Sequence, residues 1–240
     1  MTGPSLDINS ASWRSGQAAM WLGASLRGAA ADDVFGGLMP LGEPPGGWWE
    51  QVARLHESSR PGVRLALPRP GDPRGVQVPH GMDGEGAVGC GAGPHVRWLI
   101  AHANGEWVMW DDHGGFPSPS ATAESADRDL RAAVVEAAHA LDSTGTNPLG
   151  QGLPTFVDMI VDAWLLHGDR LPAPSRRLAA AALPMLVAAQ AVTLPHAPGG
   201  VTAHETQRLH NALRSVEPAA RTALESAYST APLTDGDRAR

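Results

Sequence analysis

The spacing of apolar residues splits the chain into two parts. In the first, period-two and helical patterns alternate; in the second only the helical period occurs. Val63, Leu65 and Leu67 stand two apart around Arg64 and Ala66, as in a half-buried strand. His95–Asp112, HVRWLIAHANGEWVMWDD, holds two runs rich in Val, Ile and Trp on either side of Asn104-Gly105. That pair readily supplies the φ > 0 that a type I′ turn needs at both central residues. A two-residue turn there sets Ala101 against Val108, Leu99 against Trp110, Trp98 against Asp111 and Arg97 against Asp112. Side chains alternate along a strand. One face would therefore carry Trp98, Ile100, His102, Trp107, Met109 and Asp111, and the other Arg97, Leu99, Ala101, Val108, Trp110 and Asp112. Both faces are apolar near the middle, which predicts a hairpin inside a larger sheet. Shorter strands are expected at Val76–Val78 and Gly86–Cys90, and residues 68–75, PRPGDPRG, are turn material throughout.

The helical pattern places a first helix from Ser12, with Ala18, Leu22 and Leu26 in one row. A short second helix, Asp33–Leu38, takes Asp32 as its cap. A third, Trp48–Ser58, is expected to turn Trp49, Val52, Ala53, Leu55 and His56 inward. Residues 113–123, HGGFPSPSATA, read as a linker. Beyond them come Glu124–Asp142, then Thr155–His167, whose wide apolar face predicts a central position, and then Arg176–Thr193, kinked or interrupted at Pro184. Thr202-x-x-Glu205 is a capping box for a fourth helix, and Pro218 opens a last one striped by Ala220, Leu224 and Tyr228. The expected fold is α+β: a small, mostly antiparallel sheet centred on the 95–112 hairpin, flanked by N-terminal helices and a C-terminal helical bundle. The expected organisation is an α+β part over 1–112, a linker over 113–123, a helical part over 124–230 packed on or beside the first, and a tail over 231–240.

Composition narrows the chemistry. All 18 basic residues among the 240 are Arg. Without lysine, Schiff-base and P-loop mechanisms are excluded. The 28 Gly and 21 Pro, with abundant Ala and Arg, reflect GC-rich codons. The net charge is −7, spread over both halves with no basic block, which argues against a nucleic-acid partner. The single cysteine, Cys90, excludes an intramolecular disulfide and fits a reducing compartment. The start, MTGPSLDINS, does not resemble a signal peptide. The most apolar run, Leu178–Val192, falls short of the roughly 20 residues a spanning helix needs. A cytoplasmic protein with no membrane partner is expected.

Candidate chemistry is sparse. Asp111-Asp112-His113 is the densest group of ligand-type residues, but the expected register sends the two aspartates to opposite faces, and no metal is expected. Gly84-x-Gly86-x-x-Gly89 matches a dinucleotide fingerprint in letters only, because neither a preceding strand nor a following helix is expected, and no cofactor is assigned. The ligand-binding candidates are Arg64, Arg74, Asp111 and His113. Trp48 and Trp49, adjacent and about 100° apart on a helix, are the interaction candidates. The reading that follows is a non-catalytic interaction or regulatory protein whose partner is another protein or a second copy of the chain. The alternative is an enzyme or small-ligand-binding protein with a site between the sheet and the C-terminal helices.

Overall fold

The computed structural model describes residues 10–43, 45–57, 61–69, 71–76, 86–92, 95–101, 106–112, 121–142, 153–191, 207 and 210–230. Asn104-Gly105, His113, most of the expected linker and the capping box Thr202–Glu205 lie outside them. The fold is α+β, with seven α-helices and one four-stranded antiparallel sheet among the described residues. The chain divides into two compact units, one of Asn9–Pro119 with Tyr228–Arg240, the other of Ser120–Ala227 with Met1–Ile8.

The first unit is built on the sheet. Helices α1 (Ser10–Leu26), α2 (Ala31–Leu38) and α3 (Trp48–Glu57) precede strands β1 (Pro61–Ala66), β2 (Ala87–Ala92), β3 (His95–Ala101) and β4 (Trp107–Asp112). The strands form a meander in chain order. The outer edge of β1 is covered by the end of the chain, where Val63 and Thr230 exchange backbone hydrogen bonds of 3.1 and 2.7 Å and Leu65 N–H donates to Ser229 Oγ at 3.0 Å. Pairing that edge removes a template for aggregation. Helix α1 is buried on every side from Arg14 to Ala24. Gly23 is there because a Cβ would stand 2.6 Å from Thr230 Oγ1.

The register of the hairpin differs from the expected one by a single residue. Ala101 pairs with Trp107, Leu99 with Met109, Trp98 with Trp110 and Arg97 with Asp111. Residues 102–106 therefore connect the strands, and one residue of slip exchanges the faces of β4. The two tryptophans expected on one face are thereby separated. Trp98 lies over Gly89 of β2 and in a core with Ala66, Val76 and Ala87. The Trp107 indole N–H donates 3.0 Å to the Leu41 carbonyl, which also accepts from Arg14 Nε at 2.7 Å. The Arg14 guanidinium lies 4.6 Å over the Trp107 ring. These buried contacts hold Trp107 in the observed register.

Two further local expectations are corrected. Ala30, not Asp32, occupies the N-cap of α2, with no side-chain cap bond, and Asp32 and Asp33 fall in the first turn, where carboxylates favour the helix dipole. In α3 the buried residues are Trp48 and Leu55, seven apart on one stripe, whereas Trp49, Ala53 and His56 face outward.

The second unit is helical throughout its described residues: α4 (Ala123–Asp142), α5 (Leu153–Trp164), α6 (Ala173–Ala191) and α7 (Val216–Tyr228, whose last residue belongs with the sheet). The most buried of them is α7, which has no exposed residue, not the expected Thr155–His167 helix; α6 buries one face. Leu178, Ala179, Ala182, Leu183, Leu186 and Val187 are all buried, whereas α5 leaves Met159 exposed and Leu166 follows it exposed. Ala133 and Ala137 of α4 and Val216 of α7 form a core onto which Met185 packs. Among the described residues no helix is long and apolar enough to cross a membrane.

Candidate functional site

The five candidate residues among the described ones do not converge. Arg64 on β1 is buried, and its Nη2 donates 3.3 Å to the Arg74 carbonyl. Arg74 takes φ +53°, and its Nε lies 2.9 Å from Asp72 Oδ2. Asp72 and Arg69 exchange backbone hydrogen bonds of 2.9 and 3.0 Å around Gly71, whose φ of +79° suits a tight turn. The loop thus ties itself down and holds Arg64, with the Arg74 charge engaged by its own neighbour. Asp111 lies on β4, the opposite edge of the sheet, about 14 Å away by three strand spacings. It pairs with Arg97 in a two-pronged contact, in place of the Arg97–Asp112 pair expected from a two-residue turn. His113 lies outside the described residues. Among those residues no group of three His, Cys, Asp or Glu could hold a metal ion. Gly89, the last glycine of the fingerprint-like run, is a strand residue beneath an indole, where a Cβ would meet Trp98 at 2.8 Å.

Cys90 is fully buried on β2, and desolvation pushes its thiol far above the ordinary range, against a smaller opposing effect of Arg97. Burial raises Tyr228 likewise. Both groups ionise at lower pH in the unfolded chain than in the folded one, from about pH 8.5 for the thiol and about pH 10 for the phenol. Folding stability is therefore full below those values and falls as pH rises through them. In native protein at about pH 8, Cys90 is expected to resist iodoacetamide and to react once denaturant is added. Rapid native labelling, read by mass spectrometry, would contradict this burial.

The two interaction candidates separate cleanly. Trp48 is 1% exposed and Trp49 is 40% exposed. The reason is helical geometry: adjacent residues point about 100° apart, so only one indole can enter the core. Trp48 shares the inward stripe with Leu55, which leaves Trp49 outside. Across from it, α2 turns Val34 and Leu38 inward and leaves Phe35 outside, 51% exposed. The Phe35 and Trp49 ring centroids are 5.4 Å apart at a 38° tilt, within the range of favourable aromatic pairs. Met39, four residues after Phe35 and on the same side of the turn, is 46% exposed. Behind them the Trp21 ring lies against Gly37, where a Cβ would stand 2.0 Å from an indole carbon. Helix α2 is thus seated flat on a buried indole, with its aromatic residue facing solvent. The sequence signal for this patch was present in the Trp48-Trp49 pair. Phe35 and Met39 were missed because their partner is distant in the chain.

Two kinds of group border the patch. Ala53, one turn after Trp49, continues the apolar surface. Asp32 precedes Phe35 by three residues on the same side of α2, and Glu50 adjoins Trp49; both are exposed. Over residues 31–57 the charged side chains are Asp32, Asp33, Glu43, Glu50 and Glu57 against Arg54 alone, all exposed.

The helical unit holds a separate concavity, a groove of about 950 Å³ between α4 and α6. Leu130, Val134, Leu178, Ala181 and Met185 line it, with Glu124, Asp127, Arg131 and Arg177 at its rim. Arg131 pairs with Asp127 at 2.7 Å and Arg128 with Glu124 at 3.3 Å. Pro184 lies in the middle of α6 and has no N–H, so the Ala180 carbonyl beside the groove loses its i+4 donor.

Compared with known proteins, the chain matches no family model, no curated protein and no solved structure.

Proposed function

We propose that the chain is a non-catalytic interaction protein whose binding surface is the Phe35–Met39–Trp49 patch. The observation that carries this reading is the ring contact between two exposed aromatic residues on adjoining helices. Contiguous apolar surface with a polar rim is a mark of association sites, and scattered single residues are not. Aromatic and methionine side chains are the types enriched in interface cores. The test is site-specific photo-crosslinking in the native host, with the crosslinking residue at position 35 and a control at Asp129, which is exposed on α4. Discrete adducts at 35, absent at 129 and suppressed by Trp49→Ala, are expected. Identical adduct patterns at the two positions, or none at 35, would remove the reading.

A second reading, small-ligand binding, is supported by the α4–α6 groove, whose volume and apolar lining suit an apolar ligand of ordinary size. A fluorescent fatty-acid analogue is expected to bind saturably and to be lost from Ala181→Trp, which fills the groove. The absence of saturable binding to the unmodified chain would set this reading aside.

A further inference from the structure

We propose that the Phe35–Met39–Trp49 patch receives a cationic amphipathic segment of a partner protein, an inference that rests on the interaction reading above. Two independent features select this occupant. The first is the apolar surface: two touching rings and a flexible thioether, a combination that adapts to apolar anchors of varied shape. The second is charge. Asp32 stands one turn before Phe35 and Glu50 beside Trp49, and the two helices and their connection carry five exposed carboxylates against one arginine. A segment that lays leucine or aromatic anchors on the rings would bring its flanking arginines or lysines over these carboxylates. One of those cations could also lie on the exposed Trp49 face.

The same charges disfavour the other occupants. A second copy of the chain would bring Asp32 and Glu50 against the same carboxylates of its partner, in a protein whose net charge is −7. Like charges at an interface suppress association. Nucleic acid and anionic membrane would meet the same repulsion.

The experiment uses the purified full chain and three labelled synthetic peptides read by fluorescence anisotropy. The peptides share one length and one apolar pattern, and their polar positions are arginine, glutamine or glutamate. The arginine peptide is expected to bind at least about tenfold more tightly than the glutamine peptide, and the glutamate peptide not to bind. The preference should shrink as ionic strength rises past about 0.15 M, where the screening length falls to about 8 Å. The Asp32→Asn/Glu50→Gln variant, checked for an unchanged melting curve, should lower the arginine preference about fivefold and leave the glutamine peptide unaffected. Trp49→Ala should weaken all binding. Equal binding of the arginine and glutamine peptides would overturn the charge selection while leaving the patch as an interaction surface. Arginine-peptide binding that survives Trp49→Ala would place the peptide elsewhere on an acidic protein and overturn the proposal. Binding of no peptide, with concentration-dependent dimers that Trp49→Ala abolishes, would make a second copy the occupant. Binding of no peptide together with no crosslinks at position 35 would remove the interaction reading as well.

Discussion

Replacing Trp48 with alanine is expected to destabilise the sheet unit by about 3–5 kcal/mol, the range for truncating a large buried aromatic. The same change at Trp49 should stay within about 0.5 kcal/mol. The two residues are adjacent and chemically identical, so sequence context, helix propensity and residue volume are matched between the variants. Only burial differs: Trp48 is 1% exposed on the stripe with Leu55, and Trp49 is 40% exposed in contact with Phe35. Guanidinium unfolding followed by circular dichroism measures both. A large loss at Trp49 with a small one at Trp48 would mean that α3 is rotated by about 100° and that the patch does not exist.

The second large effect is expected at Gly89. A Cβ there would lie 2.8–2.9 Å from three carbons of the Trp98 ring, and that ring is fully buried. Strand residues tolerate side chains, so a valine at this position on an open sheet would raise β-propensity. Here it must displace an indole from a filled core, and Gly89→Val is expected to cost about 3 kcal/mol, the upper end for overpacking. The partner substitution tests the cause. In the Gly89→Val/Trp98→Ala double variant the valine has space, so its added cost on the Trp98→Ala background should fall to a fraction of its cost alone. That coupling is what residues in direct contact show. Strict additivity would place the strain somewhere other than the Gly89–Trp98 contact.

Much of the element inventory is legible from period and capping. The paired runs around residue 104, the strand at Val63–Leu67, the Pro184-containing helix after Arg176 and the Ala220–Leu224–Tyr228 stripe are all stated by spacing alone, because burial on one face leaves a fixed repeat. What spacing does not state is which of two equivalent faces turns inward. The hairpin register depends on where Trp107 finds the Leu41 carbonyl and Arg14, and both come from the distant N-terminal segment. The orientation of α3 likewise depends on what lies beneath it, which a pair of adjacent tryptophans leaves open. The Arg97–Asp111 pair shows the same limit in small: opposite charges at strand ends announce a pair, and the register decides which aspartate takes part. The candidate site was half legible for this reason. Trp49 could be named from its position beside Trp48, but its contact with Phe35 joins helices whose separation in sequence carries no period. Gly89 reads in the sequence as the end of a fingerprint-like run, yet it marks a place where an indole lies against the backbone, as Gly37 does.

The central claim is that the patch serves binding and is dispensable for the fold. Its most direct test is a paired measurement on the Phe35→Ser/Trp49→Ala variant: the melting curve, and the affinity for the arginine-bearing amphipathic peptide. An affinity at least about tenfold weaker, with melting displaced by no more than the small shift expected of surface substitutions, is the predicted result. Unchanged affinity, or a variant that loses its fold along with its binding, would contradict it.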